Sequence, residues 1–269
     1  MGASVCFLLF AARLLHPAAV AAEAVVVRYP EGVAHGFLVL RTLDGKPIAD
    51  GESTQVAQGD RVTNRMSFKF ADGSIYDQTT VFSQNRTFHL VSDHVLQKGP
   101  SFERSMETAI DTASGQVTVR YNEHGEEKVL IKRLQLPPDV SNGMLFAVLK
   151  NARRNVPTTV SYVAATPKPR IVNLEFIPQG QEPFSIGRYA HKAIRYAVKI
   201  KISGLAGAVA VLLGKKPPNI QAWVLAKDAP ALLRWDGPLN TDGPVWRMEL
   251  ATPAVWPPTK EVQQKPDGH

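Results

Sequence analysis

"AIRYAVKIKI", residues 193–202, is the stretch on which the fold class turns. Ile194, Tyr196, Val198, Ile200 and Ile202 alternate with Ala193, Arg195, Ala197, Lys199 and Lys201. A period of two places the first set on one face of a β-strand and the second on the other, one face in a core and one wet. The same alternation recurs upstream. "RMSFKF" (65–70) sets Met66, Phe68 and Phe70 against Arg65, Ser67 and Lys69. "QVTVRY" (116–121) sets Val117, Val119 and Tyr121 against Thr118 and Arg120.

Between such runs lie turn dipeptides: Asp44-Gly45, Asp50-Gly51, Gly59-Asp60, Asp72-Gly73, Ser114-Gly115 and His124-Gly125. Glycine and its polar neighbours supply the positive φ angles of tight hairpins, so strands at this spacing predict an antiparallel meander. About eight strands are expected before residue 136 and roughly six after residue 157. "AATPKPR" (164–170) reads as a turn between two of them. One segment changes period. "LPPDVSNGMLFAVLKNARRN" (136–155) offers Asp139 or Ser141 as a cap, then Met144, Leu145, Val148, Leu149 and Ala152 at helical spacing. The spacing predicts a helix over 140–153, with Asn151 on its wetter side. It divides one β-rich domain (25–256) into an N-terminal meander (30–135) and a C-terminal β region (157–256), followed by a frayed tail (257–269). The predicted fold is mainly β, a curved antiparallel sheet or half-barrel with one or two short packed helices.

"KIKISGLAGAVAVLLGKKPPN" (199–219) interrupts the second region with a small-residue apolar run. A membrane span needs about 20 apolar residues, and this run has about half of that. Gly214 followed by Lys215, Lys216 and two prolines is a helix stop. The expectation is a short second helix that caps one end of the sheet, its apolar face formed by Leu205, Val209, Leu212 and Leu213. No transmembrane span is expected in the mature chain.

The N-terminus, "MGASVCFLLFAARLLHPAAVAAEA", has an apolar region and a small-x-small pattern at Ala19-Val20-Ala21, as secretory signals do. A signal peptide over 1–21 implies a periplasmic or secreted protein. The only cysteine, Cys6, lies inside that segment, so the mature chain has no disulfide, thiolate metal site or cysteine nucleophile. Removal of Arg13 takes the net charge from +7 to +6. A basic exported protein is biased toward anionic envelope surfaces.

The chain lacks the common catalytic patterns. Gly214-Lys215 is preceded by Val209 where a phosphate loop needs glycine, and followed by Lys216 where it needs a hydroxyl. There is no G-x-G-x-x-G, G-x-S-x-G, S-x-x-K or H-E-x-x-H. His89, Asp93 and His94 are the one faint metal-like cluster, but on a regular strand His94 faces away from the other two. Glu126 and Glu127 are adjacent on a strand and so point to opposite sides, which suits a solvated hairpin and not an acid/base pair. No cofactor is implied. Basic residues are not interleaved with exposed aromatics, so nucleic acid is not an expected partner.

"FKFADGSIYDQTTVFSQNRTFHL" (68–90) followed by "LPPDVSNGM" (136–144) resembles a group of exported bacterial proteins of unknown function. The whole pattern resembles, in architecture only, periplasmic half-barrel carriers of the lipoprotein-carrier type. Those wrap a curved antiparallel sheet around helices. That resemblance implies a body and places no functional residue.

Candidate binding residues are therefore read from surplus apolar surface and charge. Trp223, Trp235 and Trp246 either line a ligand pocket or fill the core of the last sheet; core is the commoner use. Arg195, Lys199 and Lys201, with His191, form a basic stripe on the wet face of strand 193–202. Lys215 and Lys216 extend it toward the apolar cap of Leu205, Val209 and Leu212. The stripe suits an anionic headgroup, or is simply a solvated face. The functional expectation is a non-catalytic envelope module that binds or carries a lipid or other amphipathic ligand. A hydrolase with a dispersed site, and an interaction module without a small ligand, are the alternatives.

Overall fold

A computed structural model describes residues 24–186, 189–201, 218–227, 229–241 and 243–251. Eight strands form the first region: β1 (Ala34–Arg41), β2 (Pro47–Gln58), β3 (Arg61–Phe70), β4 (Ile75–Ser83), β5 (His89–Lys98), β6 (Met106–Asp111), β7 (Gln116–Glu123) and β8 (Glu126–Arg133). A short helix, α1 (Leu145–Asn151), follows. The second region contains β9 (Thr158–Ala164), β10 (Arg170–Ile186), β11 (Tyr189–Lys201), β12 (Ile220–Leu225), β13 (Leu232–Gly237) and β14 (Trp246–Leu250).

All of them belong to one antiparallel, curved and unclosed sheet in the order β8-β7-β6-β5-β4-β3-β2-β1-β14-β13-β12-β11-β10-β9. Each region is a meander of hairpins, and the two meet where β1 pairs with β14, Leu38 opposite Leu250. The chain thus starts at the middle of the sheet, walks to one edge, crosses to the other and walks back. Left-handed Gly45, Gly59, Gly73, Gly115 and Gly125 sit in the turns the sequence predicts. Asp50-Gly51 is the exception, lying inside β2. Gly51 is glycine because the Phe68 ring occupies the place of a side chain: a Cβ there would lie 2.3 Å from it.

Alternation does the sorting. Val62, Phe68, Tyr76, Phe82, Phe176 and Tyr196 point inward and are all but fully buried. Each such side chain contributes roughly 1.5–3 kcal/mol. Inner faces of both regions and the apolar residues of α1 belong to a single core. Bulges interrupt the register between β4 and β5, within β10 and between β12 and β13, and such bulges bend a sheet.

The crossing segment lies inside the curve and treats the β9 edge as a template. Val140 forms a parallel bridge with Ser161, and the Ser141 amide donates to the Ser161 carbonyl at 2.9 Å. The Ser161 amide donates to Asp139 Oδ2 at 2.8 Å and its hydroxyl to Oδ1 at 3.1 Å. Asn142 reads Val163 from both sides, accepting from its amide at 2.7 Å and donating to its carbonyl at 2.9 Å. Asp139 and Ser141 are therefore not helix caps. Their commitment to β9, and the left-handed Gly143 (φ 66°), delay the helix to Leu145 and shorten it from the predicted 140–153.

The sequence also misplaces Asn151. It is completely buried, and its side-chain oxygen accepts from the amides of Arg28 and Tyr29 at 2.7 and 2.8 Å. It thereby ties the helix to the segment that leads into β1. That segment begins by pairing with the β4–β5 connection, the Phe88 amide donating to the Val25 carbonyl at 3.0 Å. The expected signal peptide (1–21), the second helix and the tail lie outside the described residues. Among the described residues no helix is long and apolar enough to cross a membrane.

Candidate functional site

A cleft of about 270 Å³ opens between α1, the central strands β1–β3 and the end of β14. Its floor is apolar, made by Leu38, Met66, Phe82, Met144, Phe146 and Met248. Its mouth is polar, with Glu31, Gln55, Asn64 and Lys150 joined in one chain of hydrogen bonds. Asn64 Nδ2 donates to Gln55 Oε1 at 3.3 Å, and Gln55 Nε2 donates to Glu31 Oε2 at 2.8 Å. Lys150 Nζ sits 2.5 Å from Glu31 Oε1 and 2.6 Å from Oε2. The Glu31 side chain is only 4% exposed, so its carboxylate is stable there because Lys150 neutralises it. Beside the mouth, His35 is likewise bonded to Glu52 at 2.8 Å. The opening is rich in donors and acceptors, and its lining carboxylates each have a cation, Glu31 with Lys150 and Glu249 with Arg41 at 3.7 Å.

The local reasons are simple. Gln55 and Asn64 face each other across the β2–β3 ladder. Glu31 is held by Gln84, which accepts from its amide at 2.6 Å and donates to its carbonyl at 3.0 Å. Lys150 occupies the last turn of α1, a favourable end of the helix for a cation. None of these four residues is marked by the sequence, where each is an ordinary polar residue in a strand, loop or helix.

The three tryptophans do not meet. Trp235 packs edge-on against Phe146 with ring centroids 5.6 Å apart, and so backs the cleft floor without lining it. Trp246 is core, tilted against Phe70 and edge-on to Phe102 with ring centroids 5.3 and 6.0 Å away. Trp223 faces the other side of the sheet, in a small cluster with Ala193 and Leu233. There the Arg234 guanidinium lies 4.3 Å above its ring, a cation–π contact, and its indole N–H donates to Glu182.

The basic stripe is on the wet face, as expected, but β10 answers it with carboxylates. Arg195 lies 3.5 Å from Glu182 and Lys201 2.9 Å from Glu175; Lys199 is exposed. Leu205, Val209, Leu212, Lys215 and Lys216 lie outside the described residues.

His89, Asp93 and His94 do not converge. Val81 pairs with Ser92 and Phe82 with Leu90, so Val91 is a bulge that breaks the alternation. It turns Asp93 inward with Leu90, while His94 bonds Glu107 outside at 2.7 Å. His89 bonds the Thr87 hydroxyl at 2.7 Å and the Pro138 carbonyl at 3.1 Å. Among the described residues no group of three metal-ligating side chains assembles.

Asp93 is a second buried polar centre. Its Oδ1 accepts from Thr80 Oγ1 at 2.7 Å and from Gln78 Nε2 at 3.0 Å. Burial pushes its carboxyl up to about 6, against the lowering effect of those two bonds. Burial also pushes the Tyr162 phenol up to about 12, and the Asp93 charge adds to that. Gly143 of the crossing segment rests directly on this centre: a Cβ would fall 1.9 Å from Thr80 Oγ1 and 2.3 Å from Asp93 Oδ1.

Neither a family model nor a curated protein matches the chain. One solved structure is similar to it: a β-barrel-like protein of a domain of unknown function, DUF1849, from Brucella abortus. The two share 9% identity with a TM-score of 0.39, over 82% of this chain and 95% of that one.

Proposed function

We propose that this is an exported protein that binds a small amphipathic ligand, without transforming it, in the cleft beneath α1. The observation that carries the reading is the two-part lining. An apolar floor of about the size that holds a short chain or small ring ends in a mouth of hydrogen-bonding groups. The mouth is charge-balanced through Glu31 and Lys150, which favours a neutral or zwitterionic headgroup over an anionic one. Asp93 holds the Thr80 hydroxyl, but both are buried and His89 and His94 bond elsewhere, so the pair has neither the histidine nor the open approach that a dispersed hydrolytic site requires. Export rests on the N-terminal sequence, with cleavage between about residues 19 and 25; a cut after the expected Ala21 leaves the pairing at Val25 intact.

Native purification from the periplasmic fraction, solvent extraction and mass spectrometry test this reading. So does titration of the stripped protein with a short-chain zwitterionic amphiphile such as octylphosphocholine. Binding near one equivalent is expected, and Ala34→Trp, at the exposed rim of the cleft, should weaken it at least tenfold while the melting temperature holds. A clean extract together with no titratable binding would leave the chain an interaction module without a small ligand.

A further inference from the structure

The sheet has two edges, and they are finished differently. At β9 the crossing segment occupies the outer backbone groups of Ser161 and Val163. At β8 one side pairs with β7 from Glu123↔Glu126 to Gln116↔Arg133, and among the described residues no strand pairs with the other side. Every β8 residue is exposed except the half-buried Leu130. Val129 and Ile131 are apolar and yet 53% and 64% exposed. An open edge of this kind is a template for another strand.

We infer that β8 is the seat of a homodimer, in which two copies of the chain pair antiparallel through this strand and continue the sheet. Two-fold symmetry across a sheet edge restricts the register. Residues directly opposite must share a face, so their numbers must have the same parity, and the axis must pass through a residue. With the axis at Val129, Glu126 lies opposite Lys132 of the second copy, and Glu127 is diagonal to its Arg133. Val129 then meets itself, with Ile131 beside it on the same face. Symmetry repeats each ion pair: Glu126–Lys132 flanks Leu130 on one face, while on the other Glu127, opposite Ile131, reaches Arg133 beyond the Val129 pair. The neighbouring registers are excluded by charge. An axis at Leu130 puts Lys128 opposite Lys132, and an axis at Lys128 puts that lysine opposite itself. Of these three central registers of "EEKVLIKR", only the one about Val129 sets no like charges directly opposite each other. To join the pair, Lys132 exchanges the Pro169 carbonyl, now 3.1 Å away, for a carboxylate. The strand pair is much smaller than a standard ~1,600 Å² interface, so the dimer forms and dissociates with concentration.

Sedimentation velocity of the full chain across a wide concentration range should show the mass doubling. Lys132→Glu should shift the midpoint at least tenfold toward monomer, and Glu126→Lys combined with Lys132→Glu should restore it. In a Cys6→Ser background, Val129→Cys should oxidise to a covalent dimer, since opposite Cα atoms in such a ladder fall within disulfide reach. Glu127→Cys, offset from its own copy by several residues, should not. A monomer at every concentration, or a dimer indifferent to Lys132→Glu and not captured by Val129→Cys, would overturn the proposal. Ligand titration is a separate readout, so a failed dimer leaves the cleft untouched.

Discussion

Ser161 and Val163, on β9, have edge amides that meet Asp139 and Asn142 at 2.8 and 2.7 Å. Val129 and Ile131, on β8, meet no strand beyond β7 among the described residues. Both edges belong to one sheet, so the difference is not one of strand propensity. The β9 edge is covered by a segment from its own chain, whose polar side chains imitate a neighbouring strand. The β8 edge sets charges around the exposed Val129 and Ile131, and those charges deter unspecific pairing but permit a complementary partner. A covered edge needs buried polar groups held in fixed geometry. An open one needs only a pattern.

The comparison breaks most severely at Asp139. Asp139→Ala removes both acceptors of Ser161 and leaves its buried amide and hydroxyl unpaired, so a loss of about 3 kcal/mol is expected in urea denaturation. Hydrogen exchange should then show the Ser161 amide losing protection while the β7–β8 ladder keeps its own.

A smaller effect separates Asp139 from Asp93, another buried aspartate. Asp139 is served in part by a backbone N–H, whereas Asp93 has only the side chains of Thr80 and Gln78. With its folded carboxyl raised to about 6 from 3.8, Asp93 binds a proton more tightly in the native state than in the unfolded one. Its contribution is therefore most favourable below pH ~4 and is lost as pH rises through about 6, by roughly 2–3 kcal/mol. Asp93→Asn keeps an oxygen that accepts from both neighbours. The difference in stability between wild type and this variant should change over that window and be flat above it.

The smallest effect belongs to the open edge. Ile131→Thr, at a position already 64% exposed, should alter the stability of the monomer by no more than about 0.5 kcal/mol. Denaturation at low protein concentration checks it.

Much of the body is legible in the sequence because it depends on local pattern. Alternation at 65–70, 116–121 and 193–201 marks strands that exist, and the eight-and-six division about the helix holds among the described residues. What fails depends on contacts far along the chain. Gly51 reads as a turn because the Phe68 ring that displaces its side chain is invisible locally. Asn151 reads as wet because its partners lie more than 100 residues away, at Arg28 and Tyr29. Asp139 and Ser141 read as caps because the edge they serve follows them. The cleft is hidden for the same reason. The β2–β3 hairpin brings Gln55 to Asn64, but Glu31 and Lys150 join them only when the segment before β1 and the helix α1 dock on the sheet. The tryptophans stand out as residues, but strand parity sends Trp223 to one face and Trp235 to the other.

The pairing of β1 with β14 has a kinetic consequence. Every other adjacent pair in the sheet joins strands that are consecutive in the chain, so each meander gathers itself pair by pair at lower loop-closure cost, mostly through short turns. The seam from Leu38↔Leu250 to Arg41↔Arg247 joins the first strand to the last. A chain that emerges amino end first can therefore assemble β1 through β8 early, but Leu38 and Leu40 must wait for the final strand before their row is roofed. Until then the middle of the sheet is an edge. The slow step of folding is then the arrival of β14, and a chain truncated before Trp246 would leave that central edge open to its neighbours in the cell.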